Sequence, residues 1–75
     1  MFVLNEDETL AVPYNDIIFM SVKKEDGGYI VLGHTENVEV PIAKFDSKPK
    51  LGAIIASMWY ANLRGMAKWK YSDGM

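Results

Sequence analysis

Seventy-five residues suffice for one small domain and no more. The chain has no cysteine and a single histidine, which excludes disulfides and the usual ligand sets for zinc. With 49% hydrophobic residues and a net charge of only -2, it has enough apolar mass to fold and too little charge to stay disordered.

The opening "MFVLN" is a short apolar run. It lacks the basic start and long apolar centre of a signal peptide. It reads as a strand that stops at "EDE", with "TLAV" as hairpin partner. Pro13 closes that second strand, because proline has no N–H for a ladder. Residues 17–24, "IIFMSVKK", are rich in β-branched and aromatic side chains and predict the next strand, and "YIVLGH" predicts its partner. Between them, Asp26-Gly27 is a two-residue hairpin signal, since both residues tolerate positive φ. That turn sets Lys24 opposite Tyr29, Val22 opposite Val31 and Met20 opposite Gly33. If Gly28 joins the turn, the register moves by one. After the turn "TEN", "VEVPIAKF" alternates, with Val38, Val40 and Ile42 on one face and Glu39 on the other. Pro41 marks a sheet edge or a bulge. Residues 1–45 therefore predict four or five antiparallel strands in meander order.

A helix is predicted from about residue 47 to 64, with Asp46 or Ser47 as cap and Pro49 tolerated in the first turn. Gly65 sits where a left-handed residue ends a helix, and Arg64 suits the negative end of the dipole. On a helical wheel Leu51, Ile54, Ile55, Met58 and Asn62 form the central stripe, flanked by Trp59 and Leu63. A sheet covers roughly 100–140° of a helix, and this helix is apolar over more. The excess, Trp59 and Leu63 with Ala56 and Tyr60, needs a second surface. Either the tail "MAKWKYS" supplies it as a short strand carrying Trp69 and Tyr71, or a second copy of the chain does. Residues 51–63 carry no charge, yet about 20 apolar residues are needed to cross a bilayer. No membrane span is expected, and the chain is read as cytoplasmic.

Catalytic chemistry has few carriers here. His34 in "GHTEN" lies beside a turn, and Glu36 near it makes no triad. Glu6, Asp7 and Glu8 lack the spaced ligands and glycine of a calcium loop and read as a solvated turn. No glycine-rich loop precedes the helix. The expectation is no enzyme, no cofactor and no metal. Trp59, Tyr60, Leu63, Met66 and Trp69 are the candidate residues for a partner or oligomer interface, being of types that anchor interfaces or completing the apolar surplus of the helix.

Charge is unevenly placed. Residues 1–40 hold eight acids and two bases, net -6; residues 41–75 hold six bases and two acids, net +4. One reading is attraction between the halves of one fold. The other is nucleic-acid contact through Lys48, Lys50, Arg64, Lys68 and Lys70, where "RGMAKWKY" interleaves bases with aromatics. The same alternation suits a half-buried strand.

From "DIIFMSV" through "IVLGHT" and "KFDSKPKLGAII" to "ANLRG" and "YSDGM", residues 16–75 resemble small uncharacterised proteins of bacteria and their phages. In these, several strands lead into one helix, a glycine and a short ending. Here "KPKLG" stands where that family has an acid and alanine. The resemblance implies a β-meander with one C-terminal helix and brings no activity or functional residues with it.

The expected protein is thus α+β: an antiparallel four- or five-stranded sheet over residues 1–45, one helix within 46–65, and a tail strand in 66–75. The leading functional expectation is a non-enzymatic protein-binding module that forms a homodimer.

Overall fold

The computed structural model describes residues 1–71; the last four residues of the expected tail lie outside the described residues. The architecture is α+β, with two three-stranded sheets and one helix. The strands are β1 (Phe2–Leu4), β2 (Ala11–Pro13), β3 (Phe19–Glu25), β4 (Gly28–His34), β5 (Glu39–Phe45) and β6 (Lys68–Trp69); the helix α1 is Leu51–Leu63. One sheet has the order β2-β1-β6 and the other β3-β4-β5.

The expected single meander is corrected here. After Pro13 the chain enters a 3-10 turn, Tyr14–Asp16, instead of passing straight into the next strand. The Tyr14 N–H donates to the Met1 carbonyl (2.8 Å), which holds this turn against the first hairpin. The tail then returns to β1. The Phe2 N–H donates to the Ala67 carbonyl (2.9 Å), and β6 pairs parallel with β1, Val3 beside Trp69. The first sheet is therefore mixed and brings residues 68–69 beside residues 2–3.

The second sheet follows its local signals. Glu25 and Gly28 close a two-residue loop, and the pairs Lys24–Tyr29, Val22–Val31 and Met20–Gly33 are those the Asp26-Gly27 turn predicts. Only Gly27 takes positive φ there, +81°. Gly28 has a separate role, since a Cβ on it would run into the Phe45 carbonyl. At Thr35 the side-chain oxygen accepts the N–H groups of Asn37 and Val38 (3.2 and 3.0 Å) and donates to the Val38 carbonyl, tightening the turn into β5. Val38 is left exposed in that turn, contrary to its expected inward place. The register shifts between Val31 and Leu32 opposite Ala43 and Pro41, so Ile42 is the extra residue of a bulge beside Pro41. The strict alternation breaks there, and Ile42 and Ala43 are both buried.

One buried cluster joins both sheets and the helix: Val3, Val12 and Trp69 from the first sheet, Val31, Val40, Ile42 and Ala43 from the second, and Ile54, Met58 and Ala61 from α1. The β1–β2 loop straps the two sheets together from outside. Asn5 Oδ1 accepts the N–H groups of Thr9 and Leu10 (3.0 Å each), which shapes the loop. Glu6 Oε1 then accepts the Lys44 N–H on β5 (2.9 Å), and Glu8 pairs with Lys70 Nζ (2.9 Å). With Pro41 lacking an N–H, the β5 edge is partly closed, whereas β3 forms the other edge of its sheet.

Candidate interaction surface

The helix starts later than its expected cap. Lys50 is the N-cap, in extended conformation and without a side-chain cap bond, while Asp46 and Ser47 lie upstream of Pro49. A residue before proline is pushed out of the helical region, so Lys48 cannot carry a helix that begins at 47. The C-terminus forms as expected. Gly65 takes φ +74°, its N–H donates to the Asn62 carbonyl (3.1 Å), and the Met66 N–H donates to the Ala61 carbonyl (3.2 Å). These two bonds make a Schellman cap and turn the chain back toward β6.

Which side of the helix is covered differs from the wheel. Ile54, Met58 and Ala61 are buried, Leu51, Ser57 and Asn62 are half-buried, and Ile55 is exposed. The covered stripe is rotated by roughly 50° from the one centred on Leu51, Met58 and Asn62. The cause is Trp69. Its ring is 1% exposed, and its Nε1–H donates to Ser57 Oγ (3.1 Å), so the tail covers the Ser57 flank. Trp69 is therefore a core residue, and its expected place in an interface is corrected. Tyr71 beside it meets Phe45 edge-on, ring centres 4.9 Å apart.

All of the surplus apolar surface falls on the opposite flank. Trp59 is 56% exposed, Tyr60 59% and Leu63 62%, with Met66 and Ile55 also open. Ile55, Trp59, Leu63, Ala56 and Tyr60 follow one another around about 140° of the helix. No charged side chain interrupts them until Arg64, whose guanidinium lies 5.5 Å from the Tyr60 ring centre. Trp59, Tyr60 and Leu63, three of the five candidate residues, lie on this open flank; Met66 is exposed beyond the end of the helix.

That surface continues off the helix. A groove of about 320 Å³ lies between α1 and the start of β3, lined by Tyr14, Ile17, Ile18, Met20, Ile55 and Met58. Ile18 is 66% exposed at its rim, and Phe19 beside it is open as well. Sequence reasoning placed Ile55 in the inward stripe of the helix, whereas the structure leaves Ile55 exposed, and it did not single out Ile18 or Phe19. The signal was the unbroken "IIFM", because a strand with one wet face places only alternate residues inside.

The basic residues do not converge. Lys48 and Lys50 are exposed before the helix and Arg64 lies past its other end, about 20 Å away along a 13-residue helix. Lys68 is exposed on β6, and Lys70 is held by Glu8. That contact draws the Glu8 carboxyl below its ordinary pKa, through the hydrogen bond and the charge of Lys70. The acidic run "EDE" is likewise divided, Glu6 going to β5 and Glu8 to the tail. His34 stacks on Phe19 (ring centres 4.1 Å, 9° between planes) and its Nε2 lies 2.7 Å from Ser21 Oγ. These three stand on neighbouring strands of an open sheet. Among the described residues, no group of three His, Asp or Glu side chains is placed to hold a metal ion, and no helix is long and apolar enough to cross a membrane.

No protein-family model matches the chain, and no curated protein or solved structure is similar enough to count as a match.

Proposed function

We propose that this chain is a non-enzymatic protein-interaction module of the cytoplasm that self-associates through the outer flank of α1. The observation that carries the reading is the uncharged run Ile55, Trp59, Tyr60 and Leu63, held open to solvent on a helix whose other flank is already covered by Trp69. Large contiguous apolar patches on small folded proteins mark interaction sites. Aromatic anchors on a rigid helix are the side chains that dominate binding energy at such sites. The position of His34 supports the non-enzymatic part: its ring stacks on Phe19 and its Nε2 lies 2.7 Å from Ser21 Oγ, which gives it structural partners.

The test is mass in solution. Light scattering on the full chain at about 10–100 µM is expected to give twice the chain mass, and Trp59→Lys is expected to give the single-chain mass with unchanged circular dichroism. A wild-type chain that stays monomeric at 100 µM overturns the reading.

A further inference from the structure

The β1–β2 loop holds its own shape with neutral bonds and is tied down by acids. Within it the Asn5 carbonyl accepts the Glu8 N–H (3.0 Å), and the Asn5 N–H donates to the Leu10 carbonyl (3.1 Å). The Asn5 side chain adds bonds to the Thr9 hydroxyl and to the N–H groups of Thr9 and Leu10 (3.0 Å each). None of these bonds uses a titrating group. The ties that leave the loop do. Glu6 Oε1 accepts the Lys44 N–H on β5 (2.9 Å), and Glu8 Oε2 accepts from Lys70 Nζ just past β6 (2.9 Å). Between loop and sheet is a recess of about 380 Å³, with Asn5, Glu6 and Asp7 on one side and Ile30, Pro41 and Lys44 on the other. Ile30 is only 6% exposed, although it stands outside the buried cluster that joins the sheets and the helix.

We propose that this loop is an acid-released strap: protonation of Glu6 and Glu8 frees it from β5 and β6 while both sheets stay folded, and uncovers Ile30 and the Lys44 N–H. A carboxylate accepts a hydrogen bond more strongly than a neutral carboxyl group, and only the charged form pairs with an ammonium. The charged groups that share the recess with Glu6 are Asp7 of the loop and Lys44 of β5. Those acting on Glu8 are Lys70 and Lys68. Lys70 first, and Lys68 after it, lower the Glu8 pKa, so that tie is intact above the ordinary value and is lost as pH falls through the lowered one. The closed strap also guards an edge. Alternate N–H groups of an edge strand point outward and are open to pairing with another strand. On β5, Pro41 has no N–H and Lys44 donates its own to Glu6. Release returns that donor to the surface.

The experiment is residue-resolved hydrogen exchange on the full chain between about pH 7 and about pH 2, corrected for the intrinsic pH dependence of exchange. The Lys44 amide reads the strap, and the Val31 amide, in the central strand of its sheet, reads the fold. Lys44 is expected to lose protection by about tenfold or more relative to Val31 at the acid end. A dissolved paramagnetic agent is expected to relax the Ile30 methyl protons faster there as well. Glu6 is exposed, so its variants keep the fold, as circular dichroism will verify. Glu6→Ala is expected to release the Lys44 amide already at pH 7, and Glu6→Gln, neutral at every pH, to lower its protection at pH 7 and flatten the pH dependence. The proposal is overturned if Lys44 stays protected in acid, or loses protection only together with Val31. It is equally overturned if Ile30 gains no access to the agent, if Lys44 stays protected in Glu6→Ala, or if Glu6→Gln keeps the full pH dependence.

Discussion

Trp69 looks in the sequence like an interface aromatic and in the structure is the keystone of the tail, and the two roles predict different costs on substitution. Its ring is 1% exposed and its Nε1–H donates to Ser57 Oγ at 3.1 Å. Trp69→Phe loses that bond, worth about 0.5–1.5 kcal/mol, and leaves a void where the larger ring was. Together these give a loss of about 2 kcal/mol. A domain of 75 residues has a total stability of roughly 4–11 kcal/mol, so the loss is a substantial fraction. At about 4–8 °C per kcal/mol, the melting temperature falls by about 8–16 °C. Trp59→Phe is the matched control, since its ring is 56% exposed and a surface change of this kind stays within about 0.5 kcal/mol. The assay is urea and thermal unfolding followed by circular dichroism, in dilute protein so that association contributes little. Equal costs for the two substitutions would refute the placement of Trp69 at the centre of the core.

Gly65→Ala is expected to lose about 1–2 kcal/mol, all of it from the +74° φ, because a Cβ there meets nothing within 4 Å. Gly65→Asn should recover most of that loss in a urea titration, whereas Gly28→Asn should recover nothing relative to Gly28→Ala, since the obstacle at Gly28 is the Phe45 backbone. Lys50→Asp supplies the missing cap and removes a positive charge from the positive end of α1, and should raise stability by about 1 kcal/mol, seen as a higher melting temperature. Glu8 should titrate below its ordinary value in an NMR pH series and move back toward it in Lys70→Gln, where only Lys68 still lowers it. Because its folded pKa is lowered, the stabilisation from this pair is present above the ordinary value and lost as pH falls through the lowered one. Finally, melting of the wild-type chain should shift upward over a hundredfold rise in concentration, and that of Trp59→Lys should not.

How far the fold can be read from the sequence depends on how local its determinants are. The β3–β4 register follows from Asp26-Gly27, and the helix end follows from Gly65, because in each case a few adjacent residues fix the backbone. Pro41 announces irregularity, though not that Ile42 would be the extra residue. The pairing of β6 with β1 is a different matter. Two residues, Lys68 and Trp69, pair with Phe2 and Val3, more than sixty positions away, and neither stretch contains anything that names its partner. The split into two sheets begins at the 3-10 turn Tyr14–Asp16, which separates β2 from β3. The rotation of the helix depends on the β6–β1 pairing, since Trp69 reaches Ser57 from β6, which lies beside β1. Of the candidate surface, the apolar surplus of α1 was legible as a composition of faces. Which flank stays open was not, because it is set by a contact 12 residues away in sequence.

The same contact explains why so small a protein carries so apolar a helix. A helix laid on one sheet needs a single apolar stripe, and α1 has two sides to satisfy because it stands over the cluster that joins two sheets. The tail, with Trp69 against Ser57, satisfies one of them. Residues 51–63 have no charged side chain to keep the other side in water, and Ile18, at the rim of the groove beside Ile55, extends it beyond the helix. A chain with no disulfide and a core this size is stabilised by little else. Association that buries the remaining flank adds RT ln(1 + [L]/Kd) to the folded state, about 2.7 kcal/mol at a hundredfold excess over Kd, which is comparable to the loss expected from Trp69→Phe. On the proposed self-association the two flanks of α1 do the same job by different means: the closed flank is covered by the chain's own tail, and the open flank would be covered by a second copy.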